Sequence, residues 1–184
     1  KPSIIFHLAT SGIYGGLHLP EKELIETNLL GTVNLINSCE RIEYECFVNT
    51  GSSSEYGLKS HAMKENDLLE PLGDYAVSKA AATLFCRSEA IQKELPIINL
   101  RIFSPYGPWD DPKRLIPYVM SSLLNGKAPV LSSPTSVRDY VFIGDVIEAY
   151  LAVIGAAIVP GAIYNIGSGR QASIGCVVTK IVEK

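Results

Sequence analysis

Neither G-x-G-x-x-G nor G-x-x-G-x-x-G occurs anywhere in the 184 residues of this chain. A loop of that kind normally follows the first strand of a dinucleotide-binding fold, where a helix N-terminus holds the pyrophosphate. Ser11-Gly12-Ile13-Tyr14-Gly15-Gly16 is glycine-rich and follows an apolar stretch, but its spacing does not fit. The chain also opens abruptly in a strand-like segment. The first β-α-β units of any such fold are therefore expected to lie outside the sequence.

Other absences narrow the function class. Cys39, Cys46, Cys86 and Cys176 show no C-x-x-C spacing and sit in apolar surroundings, which argues against metal and disulfide roles. They read as reduced thiols of a cytoplasmic protein. No apolar run approaches the roughly 18 residues that suggest a bilayer span; even Val146–Val159 is broken by Glu148. The opening Lys-Pro-Ser-Ile-Ile-Phe-His lacks the long apolar run and cleavage pattern of a signal peptide. With 16 basic against 19 acidic residues and a net charge of −3, there is no basic footprint for nucleic acid. What remains is 47% apolar and 19% charged, an ordinary globular composition at a length that supports a substantial core.

Short apolar runs alternate with longer segments of helical period. Strands are expected at Ile4–Leu8, Cys46–Asn49, Ile97–Phe103, Tyr140–Ile143 and Ile163–Ile166. Helices are expected at Glu21–Arg41 behind Pro20, at Asp74–Glu94 stopped by Pro96, and at Leu115–Asn125, Asp145–Gly155 and Ile174–Glu183. Ser104–Pro112 reads as a Pro/Gly loop. Continuous Ile/Val/Leu strands alternating with helices predict a parallel sheet covered on both faces, the doubly wound α/β class. In such sheets ligands bind beyond the carboxyl ends of the strands. The loops after Leu8, Asn49 and Phe103 all leave strands at that end.

Two of those regions carry chemistry. Tyr75 and Lys79 stand at i and i+4 on a helix, one turn apart on one face. A phenol ionises near pH ~10, and a neighbouring ammonium favours its phenolate, so such a pair can move protons near neutral pH. The spacing alone is weak; its place at a helix start, 23 residues beyond Ser52, strengthens it. Thr50–Gly57 is a run of small and hydroxyl residues that lets backbone and side chains approach a ligand closely. Arg138-Asp139 is either a surface neighbour pair or, through its guanidinium, a diphosphate holder. Lys113-Arg114 carries the same two readings. His7, inside an apolar strand, reads as a packed histidine, while His18 and His61 have no partners at triad or metal spacing. No metal site is visible.

In their order, several segments resemble the extended short-chain dehydrogenase/reductase family, specifically its NAD(P)-dependent nucleotide-sugar epimerase/dehydratase group. They are Phe6-His7-Leu8-Ala9-Thr10, Asn28-x-x-Gly31-Thr32, Ser52–Gly57, Tyr75-x-x-x-Lys79, Arg101–Pro108, Val137–Tyr140 and Tyr164–Gly169. The resemblance implies a Rossmann-like doubly wound sheet with a small C-terminal substrate-binding portion. Residues 1–103 would be the C-terminal part of the dinucleotide-binding domain, with the catalytic serine and the Tyr-Lys pair. Residues 104–184 would be a mixed region, a substrate-binding subdomain interleaved with the last Rossmann elements.

It also implies roles. Tyr75 resembles the family's acid/base, Lys79 the lysine that supports it and meets the nicotinamide ribose, and Ser52 the hydroxyl that meets the reacting sugar oxygen. Ala9, Thr10, Asn28, Thr50 and Phe103, with Tyr75 and Lys79, fall where the family lines its NAD or NADP pocket. Ser53, Ser104, Arg114, Arg138 and Asn165 fall where it meets the nucleotide-diphosphate sugar. Ser104 departs from the pattern, since asparagine is usual there. The implied activity is hydride transfer at C4 of a nucleotide-diphosphate hexose, in a homodimer. Dehydratases of the family carry acids where an ungapped alignment puts Ser53 and Ser54. A one-residue deletion would bring Glu55 into the glutamate role, whereas the ungapped form resembles 4-keto-sugar reductases. An epimerase or keto-sugar reductase is therefore expected over a 4,6-dehydratase, with a non-catalytic dinucleotide-binding relative as the further alternative.

Overall fold

The computed structural model describes residues 1–12, 20–131 and 133–183; His18 and most of the glycine-rich Ser11–Gly16 segment lie outside the described residues. Strands β1 (Ile4–His7), β2 (Cys46–Ser52), β3 (Ile97–Ile102) and β6 (Ile163–Ile166) form a four-stranded parallel sheet in the order β1-β2-β3-β6. A second sheet joins β4 (Ser104–Tyr106), β5 (Val137–Phe142) and β7 (Gln171–Ser173), with β4 parallel and β7 antiparallel to β5. The chain crosses between the sheets three times, through Phe103, through residues 143–162 and through residues 167–170.

Each face of the main sheet has its own core. Cys46, Val48, Ile98, Leu100 and Ile102 face Val146 and Tyr150 of helix α5 (Ile143–Ile154). Phe47 and Ile97 turn the other way, against Ile36 and Cys39 of α2 (Gly31–Cys39) and Cys86 and Ala90 of α3 (Asp74–Lys93). Helices on both faces make the fold doubly wound α/β. Side chains two apart share a face of a strand, so the α3 face carries Ile5, Phe47 and Ile97 in register, then His7, Asn49 and Asn99, then Gly51 and Arg101. Every strand on that face starts apolar and ends polar. Helix α3 therefore rests on oil at its C-terminal half and on hydrogen-bonding groups at its N-terminal half.

The predicted elements are present with altered limits. Glu21–Arg41 is one helical run, but it is α-helical only over α1 (Glu21–Ile25) and α2, with a π-helical turn at Glu26–Leu30 between them. β2 continues past Asn49 to Ser52 because β3 pairs with it that far, Ser52 opposite Ile102. Ser104–Pro112 is not wholly loop: Ser104–Tyr106 forms β4. Proline cannot donate to a ladder, and β4 tolerates Pro105 because it pairs on one side only. β5 begins at Val137, and Ile143 opens α5 instead of closing the strand. Helices α4 (Leu115–Leu124) and α6 (Ile174–Val182) pack on each other beside the second sheet.

The polar half of the α3 face is organised by one ion pair. The Arg101 guanidinium donates through Nε to Glu55 Oε2 at 2.7 Å, with Glu55 0% and Arg101 1% exposed. Glu55 belongs to the 3₁₀ turn Ser53–Tyr56; its other oxygen accepts from the Ser52 N–H and the Thr83 hydroxyl at 2.8 and 2.9 Å. Arg101 also donates to the Tyr56 hydroxyl at 2.8 Å and stacks over that ring. Gly51 makes the arrangement sterically feasible, since a Cβ there would lie 2.7 Å from Glu55 Oε1 and 3.2 Å from Arg101 Cγ. Gly57 closes the turn at φ +70°, where a side chain would strike the Glu70 carbonyl. Removing one partner of a buried pair leaves an uncompensated charge. Glu55→Ala should therefore lower the unfolding free energy by about 3–5 kcal/mol in urea titrations, and a loss below about 1 kcal/mol would contradict the assignment.

Candidate active site

The site is built on the carboxyl end of β2. Ser52 caps the 3₁₀ turn that follows: its hydroxyl accepts from the Ser54 N–H, and its own N–H is held by Glu55, a reciprocal capping box. The Ser52 and Ser54 hydroxyls are 2.8 Å apart, and Ser53 stands half-buried between them. Glu55 is thus an internal anchor facing Arg101. Burial pushes its carboxyl above the usual range, against the pull of the Arg101 charge and of its hydrogen bonds. Both of its carboxylate oxygens are taken up in these internal bonds.

Tyr75 and Lys79 occupy the first two turns of α3, as the spacing predicts. Lys79 is 5% exposed, and its ammonium donates to the Thr50 carbonyl at 2.6 Å. Burial holds its pKa below the ordinary lysine value, and the Glu55 charge opposes that shift. Thr50 lies two residues before Ser52, and two residues of extended chain span at most about 7 Å. The ammonium and the serine are therefore anchored on one short piece of strand.

Asn28, at the centre of the π-helical turn, aligns this helix. Its Oδ1 accepts from the Ser11 N–H at 2.7 Å and the Thr10 hydroxyl at 3.1 Å, and its Nδ2 donates to the Ser11 carbonyl and to Ser78 Oγ. Ser78 in turn donates to the Tyr75 carbonyl at 2.8 Å. Thr10, expected to line the cofactor pocket, is clipped to the first turn of α3 by this buried amide. Ala9 and Thr10 remain exposed at the β1 exit, and Phe103 is half-buried at the β3 exit with its N–H on the Ile166 carbonyl. His7 is a packed histidine: the Thr32 hydroxyl donates to the Asn28 carbonyl, so His7 Nε2 donates to Thr32 Oγ1 at 2.8 Å.

The expected substrate residues divide. Ser104, Arg114 and Arg138 line one cleft of about 210 Å³ with Tyr106, Tyr140 and Asp110. Arg114 pairs with Asp110 at 3.2 Å, while Arg138 donates to the carbonyl of Val137. Asp139 does not pair with its neighbour Arg138. It accepts from the N–H and hydroxyl of Ser168 and from the Gly169 N–H, closing the second crossing between the sheets. Asn165 stands apart from the cleft's lining, its amide bound at one end to the Tyr56 hydroxyl and at the other to the Met63 carbonyl. The Thr50 hydroxyl meets Tyr150 at 2.5 Å. Sequence reasoning did not find the anchoring roles of Glu55, Arg101 and Ser78. The Ser-x-x-Glu spacing of a capping box was a visible signal for Glu55, and an arginine inside an apolar strand was one for Arg101. Ser78 gave none.

Comparison with known proteins adds what geometry alone does not. The model of the NAD dependent epimerase/dehydratase family matches residues 1–167. The chain is 30% identical over 176 residues to the dTDP-D-glucose 4,6-dehydratase of Homo sapiens, covering 95% of this chain and 50% of that protein. Among solved structures it is similar to the UDP-glucuronic acid 4-epimerase of Bacillus cereus in complex with UDP-glucuronic acid and NAD. That likeness has a TM-score of 0.91 at 28% identity, over 98% of this chain and 59% of the other. MoeE5 in complex with UDP-glucose and NAD gives 0.90 at 31%, over 98% and 62%. The chain spans about half the length of the curated relatives it matches.

Burial, and secondly the Lys79 charge, hold His7 below its ordinary pKa of 6.5. Between the folded value and 6.5 the unfolded chain binds a proton that the folded one does not, so stability is full above 6.5 and falls as pH drops through that window. Urea midpoints should fall from pH 7.5 to about 5.5, and His7→Gln should flatten that fall. An equal fall in the variant would assign the effect elsewhere.

Proposed function

We propose a function from one premise: the chain belongs to the NAD dependent epimerase/dehydratase family. On that premise it is an NAD-dependent enzyme acting at C4 of a nucleotide-diphosphate hexose, as an epimerase or 4-keto-sugar reductase. The observation that carries this reading is the β2 exit, where Thr50 holds the buried Lys79 ammonium and Ser52, two residues on, presents a hydroxyl.

The residues present fit a dinucleotide. An ammonium has three donors, and among the described residues Lys79 has one acceptor, the Thr50 carbonyl. Its remaining donors suit the hydroxyls of a ribose. Ala9, Thr10, Thr50, Tyr75, Lys79 and Phe103 would hold the group, with Asn28 holding the Thr10 segment in place. NAD is the proposed form, since the solved relatives hold NAD. When bound, the nicotinamide supplies the two-electron redox chemistry at the sugar carbon.

The chain's own groups handle the proton and the geometry. Lys79 stabilises the phenolate of Tyr75, which takes the C4 hydroxyl proton and returns it. Ser52, fixed by its capping box, donates to the same sugar oxygen, with Ser53 beside it. Ser104, Arg114 and Arg138 take the nucleotide-diphosphate part in their cleft, the guanidiniums matching phosphate oxygens. Asn165 acts by fixing Tyr56. The buried, triply bonded Glu55 weighs against a 4,6-dehydratase, and the retained Tyr75, Lys79 and Ser52 weigh against a non-catalytic relative.

Residues 1–103 are proposed as the cofactor side and 104–184 as the mixed, substrate-binding side. The cytoplasm is the proposed compartment, with Cys39, Cys46, Cys86 and Cys176 as free thiols. Among the described residues, no helix is long and apolar enough to cross a membrane.

A homodimer is proposed through α3. Val77, Leu84 and Ile91 repeat every seven residues along its outer face, each about half exposed. Such a stripe suits a second copy of the same helix.

In the full-length protein, Tyr75→Phe should lower kcat by about 10²–10⁴-fold, with nucleotide-sugar binding by calorimetry unchanged. Undiminished turnover would sink the acid/base assignment. Sedimentation should show a dimer that Leu84→Glu converts to monomer; a parent that is monomeric at every concentration would rule this interface out.

A further inference from the structure

Thr50 carries two loads. Its carbonyl accepts the Lys79 ammonium at 2.6 Å, and its side-chain oxygen meets the hydroxyl of Tyr150 at 2.5 Å from the opposite face of the sheet. The residue sits where the ladder is thinning. β1 ends at His7, opposite Asn49, so position 50 has a strand neighbour only on the β3 side, at Leu100. A rotation about the Thr50 backbone would swing the carbonyl and the side chain together and carry the lysine's acceptor away. Tyr150 supplies the missing restraint. Its ring is buried in the α5-side core, with Phe6 packed edge-on at 5.8 Å, so the hydroxyl is aimed by a fixed body. Burial also holds its phenol above the ordinary value and keeps it neutral.

The restraint reaches further. Tyr150 lies on α5, whose N-cap Phe142 is the last residue of β5. β5 carries Arg138 and Tyr140, which line the cleft proposed for the diphosphate. No loop intervenes between that strand and that helix. We propose that Tyr150 is a positioning residue that fixes Lys79 through Thr50, tying the lysine to the rigid unit that bears the substrate cleft.

The proposal rests on the function given above, and its first test needs neither substrate nor cofactor. In the full-length protein, the rate of Lys79 acetylation by limiting acetic anhydride is read by mass spectrometry against exposed Lys64. Tyr150→Phe and Thr50→Val each remove one hydroxyl and leave the Thr50 carbonyl in place. Both should raise the Lys79 rate by about three- to tenfold, the range of one hydrogen bond, with Lys64 unchanged. A rate within about twofold of the parent in either variant overturns the route through Thr50. Thr50→Val keeps the test decisive if Tyr150→Phe does not fold. Where turnover of a nucleotide sugar is measurable, kcat should fall in both variants by about the same factor, with KM within about twofold. A raised KM at unchanged kcat would place the effect on substrate binding and reject the proposal. A parent inactive on every nucleotide sugar would reject the proposed function and leave the labelling result standing.

Discussion

The buried pair of Arg101 and Glu55 is the constraint around which the site is arranged. Two charges removed from water are stable only when their remaining hydrogen-bonding capacity is met. Here that requirement recruits the neighbours: the Ser52 N–H and Thr83 hydroxyl on one side, the Tyr56 hydroxyl and Glu65 carbonyl on the other. Through Tyr56 the network reaches Asn165 on β6. Strand β3, the serine turn, α3 and β6 are therefore held by one set of directional bonds, and Ser52 cannot shift without breaking an anchor of the pair. A hydrophobic core alone would not do this, because apolar contacts do not fix an angle.

The same logic explains why the site lies where it does. On the α3 face the strands change from Ile5, Phe47 and Ile97 to His7, Asn49 and Asn99 within one residue pair. The apolar rows take the mass of α2 and α3, with Cys86 and Ala90 over Phe47 and Ile97. In the polar rows His7 bonds Thr32 and Asn49 donates to Asn99 at 2.9 Å, while Asn49 Oδ1 and Asn99 Nδ2 have no partner among the described residues. A helix above that end must bring polar atoms, and α3 brings Ser78, Lys79 and Thr83. Those groups bond the Tyr75 carbonyl, the Thr50 carbonyl and Glu55, so the N-terminal half of α3 is held by hydrogen bonds.

These relations were unequally legible in the sequence. β1, β2, β3 and α3 could be read because strand hydrophobicity and helical period are local properties, and Pro96 marks where α3 stops. Tyr75, Lys79 and Ser52 were singled out through motif order, and the fold anchors Lys79 and Ser52 on one piece of β2, while Arg114, Arg138 and Ser104 share a cleft. β4 and β7 were not legible, since each is three residues long and exists only through its pairing with β5. The roles of Asn28, Thr50 and Asn165 were only half legible. Residue type and position marked them as polar groups near a ligand, but which partner satisfies a buried amide or hydroxyl is a property of the packed fold. Glu55 was the sharpest case. Its neighbours Tyr56 and Gly57 invited an alignment with catalytic acids, while its spacing from Ser52 already specified a cap.

The two sheets raise a separate question, how the cleft of Arg114 and Arg138 beside one is registered against the Lys79 site on the other. The chain crosses between them at Phe103, through α5 and the residues up to 162, and at residues 167–170, and the first and last of these crossings are pinned. The Phe103 N–H donates to the Ile166 carbonyl, which ties the first crossing to the strand that begins the last. Asp139 gathers Ser168 and Gly169 from β5, and Gly167 leaves room for it, since a Cβ there would lie 2.7 Å from its carboxylate. The middle crossing is held by packing: α5 continues from β5 without a loop and sets Val146 and Tyr150 against Cys46, Val48, Ile98, Leu100 and Ile102 of the main sheet. Within that packed surface the contact between Tyr150 of α5 and Thr50 of β2 is a directional bond. It falls on the residue whose carbonyl accepts the Lys79 ammonium, so one residue of β2 is bonded both to the lysine and to the helix that continues the second sheet.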